Sequence, residues 1–263
     1  MALWVHRVKG DGVSAIEVMK GEWLWAVILM SFVGSMTVTY LFRRRVDRKS
    51  FLSLGLDLKW QRPGLIAGAA LGFGMLGLGT IVLKLTGYLK WTDIVFDGRS
   101  MAVALVSLML VAIYEEVLFR GYILSNLLES FQKWVAVLIA AALFTLFHLG
   151  NPGFDLISVM NIFAIGVLLG LYYAYTNQLG FCIAFHFIWN FFEGPVLGYP
   201  VSGLHFDSLL QMELKNNALV TGGLFGFEGS LIATSICLLA LIFLYSQLER
   251  RANRQSIPAP GQK

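Results

Sequence analysis

Six polar residues of this chain lie inside apolar stretches and could together hydrolyse a bond. Glu115, Glu116 and Arg120 stand in IYEEVLFRGYIL, His148 in LFTLFHLG, and His186 and Asn190 in CIAFHFIWNFF. Ionisable side chains are costly in hydrocarbon and usually face a protein interior or a wet cavity. A carboxylate can take a proton from water, an imidazole can pass it on, and imidazole and amide N–H groups can hold an oxyanion. On a helix Glu116 and Arg120 are four residues apart, share a face and can pair. Glu115 points about 100° away and has no cation four residues on, which makes it the better candidate for a free carboxylate. Phe144 precedes His148 by four residues, so ring and imidazole share a face. His186 and Asn190 repeat that spacing. A plainer reading remains open for the acid pair and the arginine: a buried ion-pair knot that holds helices together. Each pair alone is a weak signal; three on three helices make a stronger one.

The elements that must position these residues are transmembrane helices. Of the 263 residues, 57% are hydrophobic and 14% charged, and the mean hydropathy is +0.70. A soluble domain carries about 25% charged residues. The composition therefore defines an all-α polytopic transmembrane bundle and excludes a soluble enzyme or a nucleic-acid binder; the net charge of +4 reflects membrane flanks. A span needs about 20 mostly apolar residues. Seven are expected, at roughly 23–42, 64–86, 101–128, 133–149, 157–175, 179–197 and 228–247. Residues 1–22 form an extramembrane segment, 23–249 the helical domain, and 250–263 a polar cytoplasmic tail expected to be disordered. Arg43, Arg44, Arg45, Arg48, Lys49, Lys59 and Arg62 crowd one loop, and Arg250, Arg251, Arg254 and Lys263 follow the last span. Basic loops stay cytoplasmic, which places the N-terminus outside. His186 lies about 10 Å into its span from the inner side, and a cavity open toward the cytoplasmic leaflet is expected to follow. The segment 198–227 lies on the outer surface or dips back into the protein. Gly64, Gly68 and Gly72 repeat at four residues, a spacing that lets helices pack closely. Cys182 and Cys237 read as buried free thiols. His6 and His205 lie outside the spans and are given no role.

The pattern EExxxR, FxxxH, HxxxN resembles that of the CPBP family of intramembrane proteases, also called the Abi or CAAX-protease family, whose eukaryotic relative is the Ras-converting CAAX endopeptidase. Here it reads Glu115-Glu116-Val-Leu-Phe-Arg120, Phe144-Thr-Leu-Phe-His148 and His186-Phe-Ile-Trp-Asn190, and the likeness covers roughly residues 101–197. The resemblance implies an intramembrane endopeptidase in which Glu115 and His148 activate a water. His186 and Asn190 would stabilise the oxyanion, and Glu116, Arg120 and Phe144 would support them. It also admits a zinc enzyme with Glu115, His148 and His186 as ligands, but the HExxH helix of many zinc proteases is absent, and a metal-free route is favoured. The substrate class would be a membrane-bound or lipidated peptide or protein met within the bilayer. A bacterial plasma membrane is the expected setting, and without protein prenylation bacteriocin precursors, leader peptides or anti-sigma factors become the candidate substrates. A non-catalytic membrane scaffold or immunity-type partner, and a transporter with a proton relay, are the competing readings.

Overall fold

The computed structural model describes residues 5–9, 13–17, 22–57 and 61–256. An antiparallel ribbon, β1 (Val5–Lys9) and β2 (Val13–Glu17), precedes the bundle. Helix α1 (Glu22–Leu41) runs into a π-helical turn at Phe42–Val46, and α2 (Gln61–Leu85) leads to β3 (Leu89–Ile94). Helix α3 (Gly98–Glu116) continues through a π-helical stretch, Val117–Leu124, into α4 (Ser125–Ser130). Then follow α5 (Lys133–Phe147), α6 (Leu156–Thr176), and α7 (Leu179–Phe191) with a π turn at Phe192–Val196. Strand β4 (Leu210–Leu214), the short α8 (Ala218–Thr221) and the long α9 (Leu231–Ser256) complete the chain.

Six of these helical segments are long and apolar enough to cross a membrane, and α5 is a shorter apolar helix. They coincide with the seven expected spans, and the protein is an integral, multi-pass helical bundle. Their ends follow local chemistry. Asp97 caps α3 by accepting from the Arg99 amide, and Asp155 caps α6 by accepting from the Ser158 amide at 2.9 Å. Such caps satisfy amides that have no partner in the first turn. Asn177 ends α6 in the left-handed conformation, at φ 51°, which Asn tolerates better than most residues. Helix α9 continues to Ser256, past the Arg250 at which the sequence suggested a disordered tail. The two prolines of the tail and Lys59 lie outside the described residues.

Helix α7 is central. It packs on α2 along one side and on α3 and α6 along others, while α1 leans on α3, and α9 on α6. The glycine series of α2 makes the first of these contacts. A methyl group on Gly68 would stand 2.2 Å from the Phe181 carbonyl oxygen, and one on Gly72 would stand 3.0 Å from that of Phe185. These glycines serve packing within the bundle.

Two features were not legible in the sequence. Helix α5 has only 15 residues, about 22 Å at 1.5 Å per residue, so it stops short of a hydrocarbon core of about 30 Å. The segment after α7 fills the space above it. Strand β4 pairs antiparallel with β3, from Leu89 opposite Leu214 to Ile94 opposite Leu210. The rest of the segment turns inward: Val201, Phe225 and Phe227 are buried, and the Gly203 amide donates to the Phe225 carbonyl at 2.8 Å. At Gly226 the chain passes so close to the Pro200 carbonyl, at φ 102°, that no side chain fits.

Gly68→Ala should destabilise the protein by about 1–3 kcal/mol, the usual cost of overpacking, because backbone must move. Gly74→Ala, where a methyl meets nothing within 4 Å, is the matched control and should cost nothing. Unfolding of both variants in detergent checks the pair; equal stability would contradict the packing role.

Candidate active site

The two acids sit at the junction of α3 with its π-helical stretch. A π turn widens the helix and shifts the register of the side chains beyond it, and such turns occur often at functional sites. Glu116 is fully buried, and its Oε1 accepts from Arg120 Nη1 at 2.8 Å. The same oxygen is 2.9 Å from Nδ1 of His186 on α7. A carboxylate only accepts when ionised, so Nδ1 carries the proton. Glu115 is held more loosely: its Oε1 accepts from the Tyr114 hydroxyl at 3.3 Å, and its buried Oε2 has no hydrogen-bond partner among the described residues. That Oε2 lies 3.9 Å from Nε2 of His186. The structure therefore separates the two acids as their spacing suggested: Glu116 is committed to a cation and an imidazole, and Glu115 retains a free oxygen.

His148 follows the last residue of α5. Its Nδ1 is 2.8 Å from the Phe144 carbonyl oxygen. A carbonyl can only accept, so Nδ1 bears the hydrogen and Nε2 presents its lone pair. The Phe144 ring organises the neighbourhood. The Arg120 guanidinium carbon stands 4.2 Å from its centroid, the His148 ring is 4.6 Å away, and the His186 ring meets it edge-on at 6.4 Å. Arginine over an aromatic face is attractive, and the stack fixes both imidazoles relative to the ion pair.

Glu115, His148, His186 and Asn190 all line one cavity of about 420 Å³. The structure thus brings together every catalytic candidate of the three motifs, with Phe144 also in the wall and Glu116 and Arg120 behind it. Two further acids belong to this region and were missed. Glu228 lines the cavity. Its Oε1 accepts from Trp189 Nε1 at 3.0 Å, and its Oε2 accepts from the Ser202 amide at 3.1 Å and hydroxyl at 2.6 Å. Glu193 is fully buried on α7, and its Oε1 accepts from the Glu228 amide at 3.4 Å. Each acid stands in the triplet Phe-Glu-Gly. An acid in an apolar run was the available signal, and Glu193 even lies within an expected span.

The direction of the cavity differs from expectation. His186 does stand seven residues into α7, about 10 Å from its start. The rim, however, includes Gly150 and Asn151 after α5 and Ser202, Leu204 and Phe206 after α7, and no lining residue comes from the basic loop ends. The expected opening toward the cytoplasmic leaflet is corrected on this point: the short α5 and the inturned segment place the opening at the other end of the bundle.

No three His, Cys, Asp or Glu side chains converge closely enough to hold a metal ion among the described residues. Nδ1 of each histidine is already engaged, which leaves one nitrogen of each for other work. Cys182 and Cys237 are buried free thiols away from the cavity wall.

A polytopic helical membrane protein with acids and histidines gathered in one intramembrane cavity belongs to a narrow class. The family described as type II CAAX prenyl endopeptidase Rce1-like matches residues 97–192. The chain is also similar to the "Putative membrane peptidase YdiL" of Bacillus subtilis (strain 168), with 26% identity over 217 residues, covering 80% of this chain and 84% of that protein. No solved structure matches. These similarities are to CAAX-type membrane proteases, and the three motifs that resemble those of the CPBP family fall within the matched residues.

Glu116→Gln should lower stability and activity together. It leaves the buried Arg120 and the partly buried His186 without their anion, and breaking a buried pair costs about 3–5 kcal/mol. The thermal midpoint in detergent checks this; an inactive variant that melts with the wild type would contradict a supporting role.

Proposed function

We propose that the protein is an intramembrane endopeptidase that cleaves a membrane-associated or lipidated polypeptide by direct attack of water, without a metal. The observation that carries this reading is the shared cavity of Glu115, His148, His186 and Asn190. The free Oε2 of Glu115 takes a proton from a water held beside it, while the Nε2 lone pair of His148 accepts that water's second hydrogen. The oxygen attacks the peptide carbonyl, and the carbonyl oxygen becomes an oxyanion. The Asn190 amide donates to it. His186 can donate from Nε2 only as an imidazolium, since Nδ1–H is directed at Glu116. The proton taken from water then passes to the departing nitrogen, the second proton passes to Nε2 of His148, and the C–N bond breaks to give a carboxylate and an amine. Oxyanion donors act best when fixed before the reaction, and the Glu116 bond fixes His186.

Support for the metal-free route comes from the donor set. Each imidazole has its Nδ1–H held by a protein acceptor, as metal-binding histidines also do, but the two remaining nitrogens and Glu115 are not gathered as a metal cage. As a zinc enzyme the protein would need His148 and His186 to turn their Nε2 atoms and Glu115 toward one point.

Purified protein is to be assayed against a panel of lipidated and transmembrane peptides, with and without chelator. Wild type should cleave and be indifferent to chelator; loss of activity with chelator and recovery with zinc would establish the metal route instead. Glu115→Gln should fold, insert and cleave nothing, and turnover in that variant would remove Glu115 from the mechanism. Asn190→Ala should retain measurable cleavage reduced by about 10²–10³-fold, the usual cost of one oxyanion donor. A loss under about threefold would contradict that role.

A further inference from the structure

The two ends of the bundle are distinct in charge and in what they enclose. At one end, Arg43 is buried and donates to Ser53 Oγ at 2.9 Å and to Asn126 Oδ1 at 3.4 Å, and Lys49 pairs with Glu129. The Gly55 carbonyl accepts from the Leu179 amide at 3.0 Å, and Lys133 stands 3.4 Å from the centre of the Tyr175 ring. These contacts gather the C-terminal ends of α1, α4, α6 and the start of α2, α5 and α7 into one closed face. At the other end, Lys215 donates through its amide to the Tyr88 carbonyl at 2.9 Å and Ser100 Oγ lies 3.2 Å from Asp207 Oδ2. There β3, the N-terminus of α3 and the segment after α7 are joined.

Basic residues are divided unequally between these faces. Among the described residues of the bundle the first face carries ten: five between Arg43 and Lys49, then Arg62 and Lys133, then Arg250, Arg251 and Arg254. The second carries four, Lys84, Lys90, Arg99 and Lys215, beside Asp93, Asp97, Asp155, Asp207 and Glu213. A bias of this kind in short loops sets orientation, with the basic face in the cytoplasm. This assignment uses only interior loops and the end of α9.

The cavity belongs to the acidic face. Its exposed rim includes Phe147 and Gly150, and its deep wall includes Glu115 and Phe185, both buried. Between that wall and the basic face, Leu54, Leu124, Leu168 and Tyr173 are almost wholly buried and leave no passage in the cavity's lining. A peptide bond can reach Glu115 only from the acidic side or from the membrane beside it. We propose that this protease acts on the non-cytoplasmic side. Its substrate class is a membrane-tethered polypeptide whose scissile bond lies just beyond the outer end of its anchor, with apolar residues to fill a wall that includes Phe144, Phe147, Phe185 and Phe206. A cytoplasmic lipidated tail would meet the closed face. The substrate class rests on the proposed protease activity; the orientation stands independently of it.

The test has two arms. Cysteine is introduced at Asn151, Asp207 and Arg45, singly, and each protein is treated with a membrane-impermeant maleimide in right-side-out and in inverted vesicles. Cys182 and Cys237 are buried at 0% and 2% exposure and give the background. Asn151→Cys and Asp207→Cys should label in right-side-out vesicles, and Arg45→Cys only in inverted ones; the reverse pattern overturns the proposal. In the second arm one apolar target peptide is fused to either side of a single membrane anchor and expressed with wild type or Glu115→Gln. Cleavage of the outer fusion by wild type alone supports the proposal, and cleavage of the inner fusion alone overturns it. Expected labelling with neither fusion cut would leave the orientation supported and count against the protease reading itself.

Discussion

One carboxylate oxygen, Oε1 of Glu116, is bound both to Arg120 on the π-helical continuation of α3 and to His186 on α7. Glu116 and Arg120 are removed from water, and only His186 reaches the cavity. An ion pair of this depth contributes little net stability compared with well-packed apolar residues, yet leaving any one member alone is severe. Its value is geometric. It fixes the distance between α3 and α7 at the level of the cavity, sets the hydrogen on His186 Nδ1, and leaves Nε2 toward the cavity. The neighbouring acid keeps an oxygen without a hydrogen bond because Glu116 accepts from both Arg120 and His186. A plain ion-pair knot and a catalytic centre are alternative readings of the sequence; the structure contains the knot, and the knot positions the residues proposed for catalysis.

A second constraint is the length of α5. A helix of 15 residues cannot carry its end to the membrane surface, so His148 is delivered part-way down. The void this leaves would be filled by lipid if the segment after α7 stayed on the surface. It is filled instead by Val201, Phe225 and Phe227, and backbone polar groups can enter such depth only where protein or water satisfies them. The Gly203–Phe225 bond, the glycine passage at Gly226 and the Asn161 amide, which donates to the Glu228 carbonyl at 2.7 Å and the Ser230 carbonyl at 3.0 Å, do that work.

The legible part of the fold was the part governed by simple length and periodicity. Hydropathy located the six long spans and the shorter apolar α5 because a run of apolar residues has few competing explanations. The division between Glu115 and Glu116 was legible because i, i+4 pairing is local. The π-helical stretch was not, since it depends on how α3 meets its neighbours and not on propensity. The ribbon of β3 and β4 joins residues more than a hundred positions apart, beyond any local pattern. Glu228 was hidden for a related reason: it stands at the very edge of the last expected span, where an acid needs no explanation, and only the inward fold of its segment brings it to the cavity. The direction of the cavity failed for the same cause, because depth along α7 says where His186 lies and not which end is closed.

Glu193 and Glu228 show how the inward segment is held without closing the site. On α7, Asn190 stands one turn beyond His186, and Glu193 stands one turn beyond Asn190, so one helical face runs from the imidazole to a buried acid. Glu193 accepts from the Glu228 amide, and Trp189, on the same helix, donates to the Glu228 carboxylate. The other oxygen of Glu228 is occupied by the backbone and hydroxyl of Ser202. The segment is therefore stapled at two points to the helix that carries His186 and Asn190. Each staple satisfies a polar group that would otherwise be stranded. A loop fixed in this way can form a permanent wall, so the shape of the cavity is set before a substrate arrives. The same bonds hold Glu228 in the wall of the cavity that His148 and His186 also line, so the brace of the wall belongs to the site itself.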